Sequence, residues 1–243
     1  MLTLIPPGAD LFDAFAQDLI ADAREALPDL STTVILLPSG GSAARLRGLL
    51  ARHAGRGLLG PRIATLGGFA AQQGGVAPLS ALECRLLLTE ALRRYRNLFP
   101  GQDNAQVAEA LFELFEELTA AQVAPEADEA AFEGTLAKAY DAPKLEWLSR
   151  EAQIVHKLWQ AFAADSGARS PASVHLAKLR AAFETATMPI HLVGFDAFTR
   201  GEASIVGPAL RAGRARLWLQ GRAEGHDGVA LLARACSMRP SEP

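Results

Sequence analysis

Three short stretches hold residue types that could grip a phosphate or move a proton. The first is Ser39-Gly40-Gly41-Ser42, set between an aliphatic run, Thr33 to Leu37, and a segment carrying Arg45 and Arg47. A small, polar turn between a strand and a helix leaves backbone N–H groups beside the positive end of a helix dipole, where an anion such as phosphate could sit. The plainer alternative is that Ser42 caps the helix. The second stretch is Pro6-Pro7-Gly8, in the place of a nucleotide phosphate loop. Such a loop needs several glycines for close backbone approach, a lysine for the β- and γ-phosphates and a hydroxyl for magnesium. Here there is one glycine and no lysine, and Asp10 would repel phosphate. The third is Gly194-Phe195-Asp196, where the acidic pair of an ATPase would close a buried strand; only Asp196 is acidic, and it falls beyond the expected strand end. ATP binding is not expected, and no catalytic residue is assigned.

Other chemistries are excluded by spacing. No serine lies in a GxSxG pattern, and no HExxH occurs. His53, His156, His175, His191 and His226 are scattered, with no partner at metal-ligand spacing, so they read as surface or internally satisfied residues. No metal and no cofactor are expected. Glu113, Glu116 and Glu117 lie opposite an apolar stripe and read as a solvated face. Arg45, Arg47 and Arg52 give one helix a basic side. That side suits the phosphate backbone of DNA or RNA, or else salt bridges to Asp and Glu. Three arginines alone would make a weak, salt-sensitive contact.

The elements that position these residues follow from periodicity. Leu2 to Ile5 reads as a strand and Ala9 to Leu27 as an amphipathic helix around Leu11, Phe12, Phe15, Leu19 and Ile20. Thr33 to Leu37 is a β-branched and aliphatic run suited to a strand buried on both faces, stopped by Pro38. Arg62 to Leu66 is a third strand. From Ser80 to Thr187 the pattern is helical. Ser80 and Glu83 form a capping box, followed by Leu82, Leu86, Ala91, Leu92 and Tyr95 as a core face. Asn104 is the expected cap of the next helix, which carries Val107, Leu111, Phe112, Phe115 and Leu118. A weaker helix over 127–140 centres on Phe132 and Leu136. A long one covers 144–164, and Pro171 opens another. Strands return at Ile190 to Gly194 and Ala215 to Leu219, separated by a helix from Arg200 to Leu210.

The expected architecture is α/β. A parallel sheet of about five strands, flanked by helices, is formed by residues 1–77 with 188–222. An all-helical subdomain of residues 78–187 is inserted, and 223–243 is a polar tail. The 243 residues, 49% of them hydrophobic, suffice for a sizeable core, and the net charge of -3 gives no global attraction to nucleic acid. Cys84 and Cys236 make no CxxC pattern, the N-terminus lacks a signal-peptide profile, and no apolar segment reaches the roughly 18 residues of a membrane span. A cytoplasmic protein, part of something longer, is expected.

Ile5-Pro-Pro-Gly-Ala-Asp-Leu-Phe12, Ile35-Leu-Leu-Pro-Ser-Gly-Gly-Ser-Ala-Ala-Arg-Leu-Arg47 and Leu59-Gly-Pro-Arg-Ile-Ala-Thr-Leu66 together resemble the N-terminus of AddB-type proteins. In that family a degenerate helicase loop precedes segments like LPTRRAARxLR and LPRIxPL. Val193-Gly-Phe-Asp-Ala-Phe-Thr-Arg-Gly-Glu202 is similar to the family's DGFxxFTPxE-like stretch. The resemblance implies a P-loop-helicase-like sheet and an inactivated superfamily I helicase domain of a double-strand break repair helicase-nuclease. It further implies an AddA-like helicase-nuclease subunit as partner and single-stranded DNA as a second ligand. The family's C-terminal nuclease and its iron–sulfur cluster have no counterpart in these residues, so no enzyme activity is expected of them. Gly40 and Gly41 replace two family arginines, which moves weight from DNA contact toward scaffolding, while Arg45 and Arg47 match the pattern. Two alternatives remain: a small-molecule enzyme binding phosphate or a nucleotide at Ser39 to Ser42, and a pure protein-interaction domain.

Overall fold

The computed structural model describes residues 2–94, 99, 101–123, 132, 134 and 146–221. In chain order the elements are β1 (Leu2–Ile5), α1 (Leu11–Asp22), β2 (Val34–Leu37), α2 (Ala43–Ala54), β3 (Arg62–Thr65), α3 (Leu66–Ala70), α4 (Ala81–Arg94), α5 (Asn104–Ala120), α6 (Glu146–Ser166), α7 (Pro171–Thr185), β4 (Ile190–Val193), α8 (Arg200–Arg211) and β5 (Ala215–Gln220). The chain forms two compact units, residues 1–74 with 178–243, and residues 75–177. The expected tail 223–243, Tyr95, Leu136 and most of the expected helix 127–140 lie outside the described residues; Phe132 and Gly134 within it are helical.

In the first unit five strands form one parallel sheet in the order β1-β5-β4-β2-β3. Leu2 lies opposite Leu217, and Val34 opposite Ile190. The early and late strands are thus neighbours. β2 and β4 are buried at every position, which explains their near-continuous aliphatic sequences, Val-Ile-Leu-Leu and Ile-His-Leu-Val. The edge strands β1 and β3 are only partly buried, so Thr3, Arg62 and Thr65 are tolerated there.

Successive side chains alternate between faces. Ile5, Ile35, Leu37, Val193 and Trp218 pack with Leu11, Phe15, Leu19 and Ile20 of α1 and with Leu46 and Leu50 of α2. Leu36, Leu192, Leu217 and Leu219, at the alternate positions, are also fully buried, so both faces are covered. β2 connects onward to β3, whereas β4 connects through α8 to β5, in the opposite direction along the sheet. Right-handed crossovers therefore send α2 and α8 to opposite faces. The start of α8 is fixed by a capping box in which the Glu202 N–H donates to Thr199 Oγ1 (3.2 Å) and the Thr199 N–H donates to Glu202 Oε2 (2.9 Å).

The second unit is helical and has its own core. The Ser80 capping box is present: the Ser80 N–H donates to Glu83 Oε2 at 2.7 Å, and the Glu83 N–H donates to Ser80 Oγ at 3.2 Å. The expected core face of α4 is buried only in part. Leu92 is buried as expected, but Leu82 and Leu86 are 65% and 59% exposed, and Cys84 and Leu88 face inward with Leu92. Leucines at 82, 86, 87, 88 and 92 offer two stripes at helical spacing, and packing on α5 selects one. The cap of α5 is Asp103 rather than Asn104, with its carboxylate accepting from the Ala105 N–H at 2.9 Å. Glu116 is not on a solvated face: its Oε2 accepts the Ala172 N–H (2.8 Å) in the first turn of α7, and its Oε1 is buried. Phe115 stacks on Trp159 with ring centres 6.0 Å apart. Among the described residues no helix is long and apolar enough to cross a membrane.

Candidate functional site

In an all-parallel sheet every carboxyl end lies along one edge, and ligands favour the point where chain connections diverge. Here that point lies between β2 and β4. The β2 end carries Ser39 to Ser42, and the β4 end carries Gly194 and Asp196. Pro6, Pro7 and Gly8 lie at the same edge, at the end of β1, with β5 intervening.

Two of these features, the Pro6 to Gly8 turn and Gly194, meet Asp10 and Arg45 around the N-terminus of α1. Gly8 has φ +97°, a left-handed conformation that glycine takes without strain, and the Ala9 N–H donates to the Pro6 carbonyl at 3.2 Å, closing a tight turn. Asp10 then caps α1, with Oδ1 accepting from the N–H groups of Phe12 (3.0 Å) and Asp13 (3.3 Å). Arg45 of α2 pairs with Asp10 Oδ2 and lies over the Phe12 ring, 5.7 Å from its centre. Gly194 has φ +77°, and a Cβ there would stand 3.4 Å from Leu11 Cδ2, so the β4 turn approaches α1 closely. The Gln220 side-chain amide donates to the Ala9 carbonyl.

One turn further on, Asp13 Oδ1 meets Arg52 and the His53 ring, the latter at 2.9 Å. The His53 hydrogen bond, opposed in part by desolvation and reinforced by the Arg52 charge, holds the Asp13 carboxyl below its ordinary value. Arg45 and Arg52 are thus engaged in salt bridges. Arg47 is exposed and has no ion-pair partner among the described residues.

The Ser39 to Ser42 turn is a single 3-10 turn, and neither Ser39 nor Ser42 makes a side-chain capping bond. Ser42 thus stands at the N-cap position of α2 without a side-chain capping bond. Asp196 is exposed beyond the end of β4. Among the described residues no three His, Cys, Asp or Glu side chains are grouped to hold a metal.

Two features escape sequence reading. The Asp10–Arg45 contact joins residues 35 positions apart; the sequence shows the charge of Asp10 but neither its cap of α1 nor its partner. His191 is 6% exposed and lies under α1, while its strand reads like any aliphatic strand with one polar position. No family model matches the chain, and no curated protein matches it.

Proposed function

We propose that this chain is a non-catalytic, helicase-like module of a DNA double-strand break repair helicase-nuclease, similar to the N-terminal part of AddB-type proteins. It scaffolds an AddA-like motor subunit and guides a separated single strand, without hydrolysing ATP. The observation that carries this reading is the occupant of the α1 N-terminus. In a working phosphate loop the first-turn N–H groups face phosphate oxygens. In this chain they face the Asp10 carboxylate, and Arg45 closes on its other oxygen. A side chain supplies the negative charge that a nucleotide would bring. The parallel sheet, interrupted between β3 and β4 by a helical unit, suits such a core.

Co-expression with an AddA-like subunit tests the scaffold, and the proposal predicts co-elution as a stable complex. Titration with single-stranded DNA at low and moderate salt tests strand contact. Arg47→Ala is expected to weaken binding and to lower the salt slope by about 0.7, the loss of one single-strand phosphate contact. Arg45→Ala has the smaller effect, because Asp10 already holds that guanidinium. Failure both to co-elute and to bind the strand overturns the proposal.

A further inference from the structure

At the opposite edge of the sheet, where β2, β4 and β5 begin, lies a cavity of about 740 Å³. It has no part in the site described above. Its walls include Leu19 and Asp22 of α1, Thr33, His191, Arg214 and Arg216. This volume suits a small organic molecule. His191 is the unusual member. It is buried against Phe15, whose ring centre is 5.6 Å away, and against Trp218. The Trp218 Nε1–H donates to His191 Nδ1 at 3.4 Å.

That bond fixes the tautomer. Indole N–H can only donate, so Nδ1 accepts and the ring proton of neutral imidazole sits on Nε2. Burial, and then the nearby Arg216 charge, push the ring pKa down to about 4, against the opposing pull of Asp22. The ring is therefore neutral at physiological pH. His191 lies opposite Arg216, and Trp218 is two residues further up β5. His191 lines the cavity, and Nε2–H, the ring nitrogen that Trp218 does not engage, has no hydrogen-bond partner among the described residues.

Arg214 and Arg216 complete the polar end. Arg214 Nη1 donates to the Phe183 carbonyl at 2.7 Å, and Arg216 Nη1 meets Asp22 Oδ2 at 2.9 Å. Each guanidinium has five N–H donors, so donors remain on both. Two arginines and one aspartate leave one positive charge, and the remaining wall includes Leu19, Met188, Pro189 and Ile190. We propose that this cavity binds a small organic monocarboxylate with an apolar body, its carboxylate held by His191 Nε2–H and the free arginine donors and its body against the apolar wall. A carboxylate suits both the planar guanidinium fork and the single net charge.

The probe is sodium benzoate, followed by calorimetry and by the ¹⁵N signals of the His191 ring. Benzamide is the neutral isostere, and inorganic phosphate is the anion without an apolar body. Benzoate is expected to bind saturably, to shift the Nε2 signal and to leave the Nδ1 tautomer unchanged. Benzamide and phosphate should bind roughly tenfold more weakly or worse, the effect of losing a charged hydrogen-bond acceptor or the apolar contact. Asp22→Asn, at an exposed position that leaves the core intact, removes a competing carboxylate from Arg216 and should tighten benzoate binding; His191→Phe should weaken it roughly tenfold. No saturable benzoate binding, equal binding of benzamide or phosphate, or benzoate binding that leaves the His191 signals and the Asp22→Asn affinity unchanged would each overturn the proposal.

Discussion

Asp10 does two tasks that are separable by substitution. It caps α1 and holds Arg45. Both partners of that ion pair are well exposed, so it contributes at most about 1 kcal/mol, while loss of the cap costs about 1 kcal/mol. Asp10→Ala is expected to lower unfolding stability by about 1–2 kcal/mol, read from denaturant midpoints, and to create no nucleotide binding. His191 sets a second expectation. Its folded-state pKa of about 4 lies below the ordinary 6.5, so the unfolded chain binds the proton more readily. The associated stability is fully present above pH 6.5 and is lost as pH falls toward 4, a change of about 3 kcal/mol. His191→Phe should flatten the stability profile over that interval; an unchanged profile would show that another group titrates there. Sequence reading finds the turn at Gly8, because turn chemistry is written in consecutive residues, and it finds the charge of Asp10 but not its capping of α1. It does not find the burial of His191 or its bond to Trp218, because strand pairing decides both.

The helix α4 shows where periodicity runs out. Leucines recur so densely from Leu82 to Leu92 that two faces satisfy the helical spacing. Of the expected face, Leu82 and Leu86 are exposed and Leu92 is buried, and it packs on α5 together with Cys84 and Leu88. Leu88→Ala should cost about 2–5 kcal/mol through loss of burial and the cavity left behind, whereas Leu86→Ser should stay within about 0.5 kcal/mol. Reversal of that order in thermal or denaturant unfolding would show the helix to be rotated. Capping is more legible than facing. Ser80 with Glu83 is recognisable from two letters, and Thr199 with Glu202 has the same spacing. Glu116 misleads for the converse reason. Its neighbours point to water, but its partner, the Ala172 N–H, is 56 residues away.

Five strands, their parallel direction and the pairing of an early with a late strand follow from the βαβ pattern. The order β1-β5-β4-β2-β3 does not. Strands of four to six residues carry too little sequence to specify neighbours, and the order is set by how α1, α2 and α8 divide between the faces. That order gathers Pro6 to Gly8, Asp10, Arg45 and Gly194 at one edge; under the proposed function, the Asp10 carboxylate stands there where a nucleotide would bring its phosphate. Calorimetric titration of the intact chain with magnesium-ATP tests this most directly. The account predicts no saturable binding at millimolar nucleotide. Saturable one-to-one binding, with amide shifts at Gly8, Phe12 and Asp13, would contradict it.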